Sequence, residues 1–308
     1  MMDHHPEPCA PGGLCAFDER CGRRGSTVRP IDPRMPELAR CLTLFQYVQA
    51  VTGGPVARIE QAGSYAVPSL RGEAFAVRPG SIALRVDGAG LGSAGVVDDR
   101  DTGGVALHLY DTEGRTAHRG SLLSEGDRLL AGLARTAAPG ALAAAPPPAA
   151  ATTSWEDGDQ LAQLDEILVD GGIARRAAFD RYRGGHRAVD AGVVPDVLDY
   201  VCSAGLPVGI AVFAPAAAMQ ASSGRIHVTD RTVGGRVFAA IAESTVEIDL
   251  PGVRACRLVR TRAAHGPTSA IELDDADGRC VAVITQFGIV GERVHTDWEH
   301  LAASLPDA

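Results

Sequence analysis

The sequence predicts an α+β fold built from two tandem structural repeats, each a mainly antiparallel β-sheet flanked by helices. The first observation is a gap-free internal repeat. Ile82-Ala-Leu-Arg-Val-Asp-Gly88 returns as Val246-Glu-Ile-Asp-Leu-Pro-Gly252, and Leu107-His-Leu-Tyr-Asp-Thr-Glu-Gly-Arg115 returns as Ile271-Glu-Leu-Asp-Asp-Ala-Asp-Gly-Arg279. Both pairs are offset by 164 positions (82 to 246, 107 to 271), which marks two copies of one unit. The second observation is period-2 alternation of apolar residues within the matched pieces (Ile82, Leu84, Val86; Val246, Ile248, Leu250), the pattern of a half-buried strand. The third is the Asp-x-x-Gly-Arg turn shared by both copies, which reads as strand–turn–strand.

Along the chain, residues 1–34 read as a disordered leader, rich in Pro and Gly. It carries Cys9, Cys15 and Cys21 beside His4 and His5. A metal site there competes with an unstructured tail, because ligands on an unfolded segment carry a large ordering cost. The first repeat is expected over 35–136. It opens with an amphipathic helix from near Pro36 through Leu42, Leu44, Phe45 and Val48 to Gly53-Gly54, followed by a strand over Pro55-Val-Ala-Arg-Ile59. A helix from Glu125 to Leu133 closes it. Residues 137–153, mostly Ala and Pro, read as a linker.

The second repeat is expected over 154–308, with an extra helical pair within 155–190. Those helices span Asp159–Val169 and Ile173–Tyr182 and meet at Gly171-Gly172. Val197 to Val201 carry helical spacing, Gly205 ends that helix, and Pro207–Phe213 forms a strand. Matching that strand to Pro55–Ile59 gives an offset of 152 (55 to 207), so twelve additional residues are expected around 214–222 before the 164 register resumes. A final helix, Thr296–Leu305, carries Trp298 on its apolar stripe.

Composition narrows the function. The net charge is −9, which argues against a nucleic-acid surface. All 29 basic residues are Arg, so Schiff-base chemistry on a protein Lys and P-loop phosphate binding are excluded. Anions must be held by Arg forks, backbone N–H groups or His. No apolar run reaches the length of a membrane span, and no basic-then-apolar signal segment opens the sequence, so a cytoplasmic location is expected. Of seven cysteines none forms a Cys-x-x-Cys pair, and Cys41, Cys202, Cys256 and Cys280 read as small buried residues.

The ordered series of pieces resembles the bacterial hemin-degrading and hemin-trafficking proteins of the HemS/ChuS type, which are tandem duplications of a heme-utilisation unit. In the first half the resemblance rests on Gly54-Pro-Val-Ala, Ser81-Ile-Ala-Leu-Arg85 and Leu109-Tyr-Asp-Thr-Glu-Gly-Arg-Thr-Ala-His-Arg119. In the second it rests on Leu206-Pro-Val-Gly-Ile-Ala-Val-Phe, Gly224-Arg-Ile-His-Val, Val246-Glu-Ile-Asp-Leu, Thr268 to Arg279 and Asp297-Trp-Glu. It implies heme as cofactor, heme or a related tetrapyrrole as ligand, and a heme donor or acceptor protein as partner. It also implies an iron-ligating His early in the second half. Placing Trp155 on the family's tryptophan puts Ala162 at that position, within Asp159-Gln-Leu-Ala-Gln-Leu-Asp165, and turns two aromatic positions into Leu164 and Asp165. An Ala offers a metal no lone pair. The family's basic segment downstream becomes Phe287-Gly-Ile-Val-Gly291.

If iron is bound, another His replaces the missing one. His186, in Arg183-Gly-Gly-His-Arg187, is either an idle loop residue or a ligand. His227 faces either solvent or a cavity. His118, at a position the resemblance marks, is either a ligand or an edge residue making a structural hydrogen bond, while His108 is expected on a solvated sheet face. His265, His295 and His300 carry no assigned role. Arg85 matches an Arg that the resemblance places near heme; Arg119, Arg175 and Arg176 are the other matched cations, each either a carboxylate fork or a solvated charge. Asp274-Asp275 reads as turn chemistry. No serine elbow, HExxH or GxGxxG occurs, so the residues alone leave three readings: a carrier or degrader of heme, a heme-dependent biosynthetic enzyme whose axial ligand moved to His186 or His227, and a heme-free interaction relative.

Overall fold

The structure, a computed structural model, describes residues 27–31, 35–78, 80–99, 104–134, 153–154, 160–181, 186–214, 216–263, 266–287 and 290–308. The first repeat runs β1 (Thr27–Ile31), α1 (Met35–Thr43), β2 (Val48–Gly53), β3 (Ala57–Tyr65), β4 (Ser69–Leu70), β5 (Ala76–Val77), β6 (Ser81–Val86), β7 (Leu91–Asp99), β8 (Gly104–Asp111), β9 (Thr116–Leu122) and α2 (Glu125–Ala134). After β10 (Thr153–Ser154) come the paired helices α3 (Gln160–Asp170) and α4 (Ile173–Arg181). The second repeat continues with β11 (His186–Val189), α5 (Val194–Ala204), β12 (Val208–Ala214), β13 (Ala218–Gly224), β14 (Ile226–Arg231), β15 (Arg236–Ile241) and β16 (Ser244–Asp249). It ends with β17 (Ala255–Ala263), β18 (Gly266–Asp274), β19 (Cys280–Thr285) and α6 (Glu292–Ser304).

The α+β plan is as expected, and each repeat builds the same ladder. In the first, β1 pairs β7, then β8, β9, β2 and β3 follow. In the second, β11 pairs β17, then β18, β19, β12 and β13 follow. The ladders exchange strands at their ends. β16 of the second repeat adds antiparallel to β3 and carries β15 and β14 with it. Reciprocally, β6 of the first repeat adds to β13. Sheet one is therefore mainly first repeat with a second-repeat flank, and sheet two is the converse. The two pack face to face, with a core around α5 and α6 at one end and around α1 at the other.

The repeated turn makes the same backbone N–H hydrogen bonds in both copies. Asp111 N–H donates to Arg115 O at 2.9 Å, and Asp275 N–H to Arg279 O at 2.9 Å. The Asp111 carboxylate caps Glu113 and Arg115 N–H, as Asp275 caps Asp277 and Arg279 N–H. An Asx turn of this kind fixes a strand junction through local bonds alone.

Several expectations need correction. The first helix stops at Thr43, and Val48–Gly53 is strand β2. Its alternating burial and its ladders to both β3 and β9 outweigh a helical spacing that the same apolar residues also satisfy. By place in the ladder, β12 corresponds to β2 and β13 to β3, so β12 does not match Pro55–Ile59. The stretch around 214–222 is not an insertion, because most of it is β13. Within the expected leader, Thr27–Ile31 forms strand β1, paired antiparallel with β7. The cysteines and histidines of 1–26, the linker 137–152 and Trp155 lie outside the described residues. Cys256 and Cys280 are buried as expected, whereas Cys41 and Cys202 are half-buried. No helix among the described residues is long and apolar enough to cross a membrane.

Candidate functional site

One face of sheet two carries Arg85 and His186, and α3 lies on it. Directly paired residues of an antiparallel ladder point to the same side, so register defines the face in rows. One row runs His186, Val259, Ala270, Thr285, Gly209. The next runs Arg257, Glu272, Val283, Ala211, Ala221, Ala83. A third ends in Phe213, Met219 and Arg85. The floor is thus small and apolar at its centre and charged toward its ends. Above it, Leu164, Ile167 and Leu168 of α3 are fully buried against Phe75, Val77, Phe213, Met219 and Phe287. Burial of three such side chains contributes roughly 5–9 kcal/mol at ~1.5–3 kcal/mol each.

α3 passes into α4 through Gly171-Gly172, both at positive φ (73° and 75°), where a side chain on either residue is strained. Asp170 caps α4, accepting from Ile173 N–H at 3.1 Å and Ala174 N–H at 2.9 Å. The hairpin is fixed to the sheet at both ends by charge.

At the first-repeat end, Arg85 is fully buried and its guanidinium makes four hydrogen bonds. Nε donates to Asp165 Oδ1 at 2.6 Å and Nη2 to Asp165 Oδ2 at 3.0 Å. Nη1 donates to Ser69 Oγ at 2.9 Å and to Glu73 O at 3.0 Å, and the Phe75 ring lies 5.7 Å from the guanidinium carbon. Asp165 Oδ2 also accepts from Gly72 N–H at 2.9 Å. The fork is bidentate, the strongest geometry available to an Arg–carboxylate pair.

At the second-repeat end, Glu272 and Asp274 are each 1 % exposed. Arg175 and Gln163 both donate to Glu272 Oε1, and Arg176 Nη1 donates to Asp274 Oδ1 at 2.8 Å, with Arg257 on the other oxygen. Two buried carboxylates are stable here only because three guanidiniums answer them. Asp274 therefore belongs to this buried network, and Asp275 alone does the expected turn work.

The sequence-marked residues fall into separate places. Ala162 faces solvent; the inward polar residues of α3 are Gln160, bonded to Gln286 O at 3.1 Å, and Gln163. His186 shares the face beneath α3 with Arg85 but stands six strands away, roughly 29 Å at ~4.8 Å per strand. It also borders an open cleft of about 380 Å³ with Arg187, Arg260, Ser269 and Glu299. His227 is exposed on β14 of sheet one, and Arg119 is exposed on β9. Arg175 and Arg176 are ion-paired rather than solvated.

His118 is fully buried between the sheets and not at an edge. Its Nδ1 meets Thr52 Oγ1 at 2.7 Å and its Nε2 meets Tyr65 Oη at 2.6 Å, while Thr52 donates to Gln220 Oε1 at 2.8 Å. One proton arrangement satisfies every group: Tyr65 O–H donates to Nε2, Nδ1–H donates to Thr52, and Thr52 donates to Gln220. Burial agrees with this neutral ring, lowering the His118 pKa to about 3 and pushing the Tyr65 phenol up. His108 is buried too, contrary to the solvated face expected. Its pKa is lowered to about 4 by burial first and by the Arg119 charge second, and its ring stacks on Tyr110 at 5.7 Å. Among the described residues, no cluster of His, Cys, Asp or Glu is arranged to hold a metal ion.

Asp165, Gln163 and Glu272 were not singled out by the sequence as site residues. The signals for Asp165 were its place one turn beyond Ala162 and its standing where the resemblance implies an aromatic residue.

No protein-family model matches the chain, and no curated protein matches it in sequence. Solved structures do match. Apo- and holo-PhuS, a heme-binding protein from Pseudomonas aeruginosa, superpose with a TM-score of 0.67 at 19% identity, covering 94% of this chain and 89% of PhuS. The heme-degrading enzyme ChuS from Escherichia coli O157:H7 superposes at 0.67 with 14% identity, covering 92% of this chain and 87% of ChuS. The chain has the tandem-repeat α+β fold of PhuS and ChuS.

Proposed function

We propose that this protein is a carrier in heme utilisation, one that takes up heme or a related tetrapyrrole on the face of sheet two now covered by α3 and passes it to a partner in the cytoplasm. The observation that carries the reading is the floor beneath α3. It is apolar and flat at Ala83, Ala211, Ala221 and Ala270, walled by Phe75, Phe213 and Phe287, and ends in the buried guanidinium of Arg85. Those residues fit a macrocycle and its carboxylates. They do not supply an iron ligand from α3, and α3 rests directly on the floor, so uptake requires the hairpin to rise. Bound heme would bring its own iron and redox chemistry. The chain's own part is to bury the ring, answer its carboxylates and exclude water.

Carriage is favoured over degradation by what lines the face. The polar side chains α3 turns inward are the amides Gln160 and Gln163, which neither ligate iron strongly nor move protons. His118 has both nitrogens engaged on the far side of sheet two. His186, on the same face, stands six strands from Arg85, roughly 29 Å at ~4.8 Å per strand, beyond reach of the iron of a macrocycle whose carboxylate Arg85 holds. Titration of the whole chain with hemin should give a Soret shift, and mixing the complex with apomyoglobin should transfer hemin completely. A hemin complex that consumes its own porphyrin under ascorbate and O₂ would favour the degradation reading instead. The heme-free reading draws on one observation, that Asp165 already neutralises Arg85. It predicts no Soret shift at all.

A further inference from the structure

The carboxylate of Asp165 occupies a receptor that the first repeat builds by itself. Arg85 Nε and Nη2 and the backbone N–H of Gly72 converge on it. Ser69 Oγ, Glu73 O and the Phe75 ring hold the guanidinium in that pose. The donors belong to a sheet strand and its neighbouring turn, whereas the anion arrives from the other repeat, on a hairpin whose corner is Gly171-Gly172. The Arg85 side chain is fully buried while that of Asp165 is 16 % exposed, so the anion side of the receptor opens outward.

Resting on the tetrapyrrole reading above, we infer that Arg85 and Gly72 N–H form a carboxylate subsite, with Asp165 as its resident occupant and a ligand carboxylate as its exchange partner. At the Arg85 end of the hairpin, exchange of one carboxylate for another leaves no buried charge unpaired. A neutral ligand that lifts α3 strands the Arg85 guanidinium in an apolar site. Asp165 therefore acts as a latch that selects for acidic ligands, and its release frees α3 from the first repeat.

The test is a hemin titration followed at the Soret band, with hemin dimethyl ester as the probe lacking free carboxylates. The wild-type chain should prefer hemin over the ester by about tenfold or more, and Arg85→Gln should abolish that preference. Asp165→Asn, checked for native circular dichroism, should bind hemin about tenfold more tightly than wild type. Equal affinity of the wild type for hemin and ester overturns the inference. Unchanged or weaker hemin binding by a folded Asp165→Asn also overturns it, and a wild-type Soret shift then leaves the carrier reading standing. Binding by Asp165→Asn alone supports the latch and removes the carrier reading for the native chain, whereas binding by neither overturns both. If Asp165→Asn does not fold, the wild-type comparison of hemin with its ester decides.

Discussion

Asp165 of α3 and Arg85 of β6, 80 residues apart in sequence, meet in a bidentate ion pair that ties the helical hairpin of the second repeat to a strand of the first. Because β6 itself adds to β13 of the second repeat, the pair closes a loop of contacts through both copies. It lies at the end of the apolar face on which the functional reading rests.

Removing one partner of that pair should be far worse than removing both. Arg85→Ala or Asp165→Ala leaves a charge without its counter-ion, and each should lower the unfolding free energy by about 3 kcal/mol in urea denaturation. The double substitution Arg85→Met with Asp165→Leu should recover most of the loss. Additive losses would show that the guanidinium and the carboxylate act independently.

The buried histidines set an acid limit on stability. The native His118 and His108 pKa values lie at about 3 and about 4, against 6.5 for the free side chain. The native state thus refuses protons that the unfolded state accepts below pH 6.5, and unfolding takes up protons. Stability from this source is full above pH 6.5 and falls as pH drops toward 4, with a limiting slope of about 1.4 kcal/mol per pH unit for each histidine. Chemical denaturation at pH 7, 6 and 5 should show the fall, and a flat profile would contradict the neutral assignment.

Tyr65 is needed for its hydroxyl as well as its ring. Tyr65→Phe leaves His118 Nε2 without its donor and should cost about 1–3 kcal/mol. Gly120→Ala should also destabilise, because a Cβ there would stand 2.4 Å from the Tyr65 hydroxyl oxygen. Thermal melts check both, and a neutral Gly120→Ala would mean the ring moves aside freely.

The inward side of α3 can be read by installing a ligand. Gln163→His puts an imidazole on the sheet-facing surface, whereas Ala162→His puts one in solvent. Gln163→His should sharpen and red-shift the Soret band of the hemin complex more than Ala162→His does. The reverse order would mean that α3 rotates when it rises.

Local features of the fold were legible in the sequence. The Asx turns at Asp111 and Asp275, the Gly205 helix end and the α3–α4 corner depend on residues within a few positions of one another. The boundary between α1 and β2 was not, because Val48, Ala50 and Val51 satisfy helical and strand spacing alike and the choice is made by β3 and β9. The exchange of β6 and β16 between the copies was equally hidden, since register across repeats leaves no mark in either strand.

At the site, Arg85 stood out by resemblance, but its partner did not: an ion pair across 80 residues has no spacing to recognise. The burial of His108 and His118 was missed for a related reason. Alternation set His108 apart from Leu107 and Leu109 but gave no sign that its face is covered, and nothing local to His118 shows that a second sheet packs over it.

The central claim, that the ligand face is the one beneath α3, is tested most directly by amide hydrogen exchange with and without hemin. The expected result is faster exchange across Gln160–Asp170 on adding hemin, as the hairpin rises, with new protection on the neighbouring strands β12 and β13. Unchanged exchange in α3, with protection confined to the strands bearing His227, would contradict it.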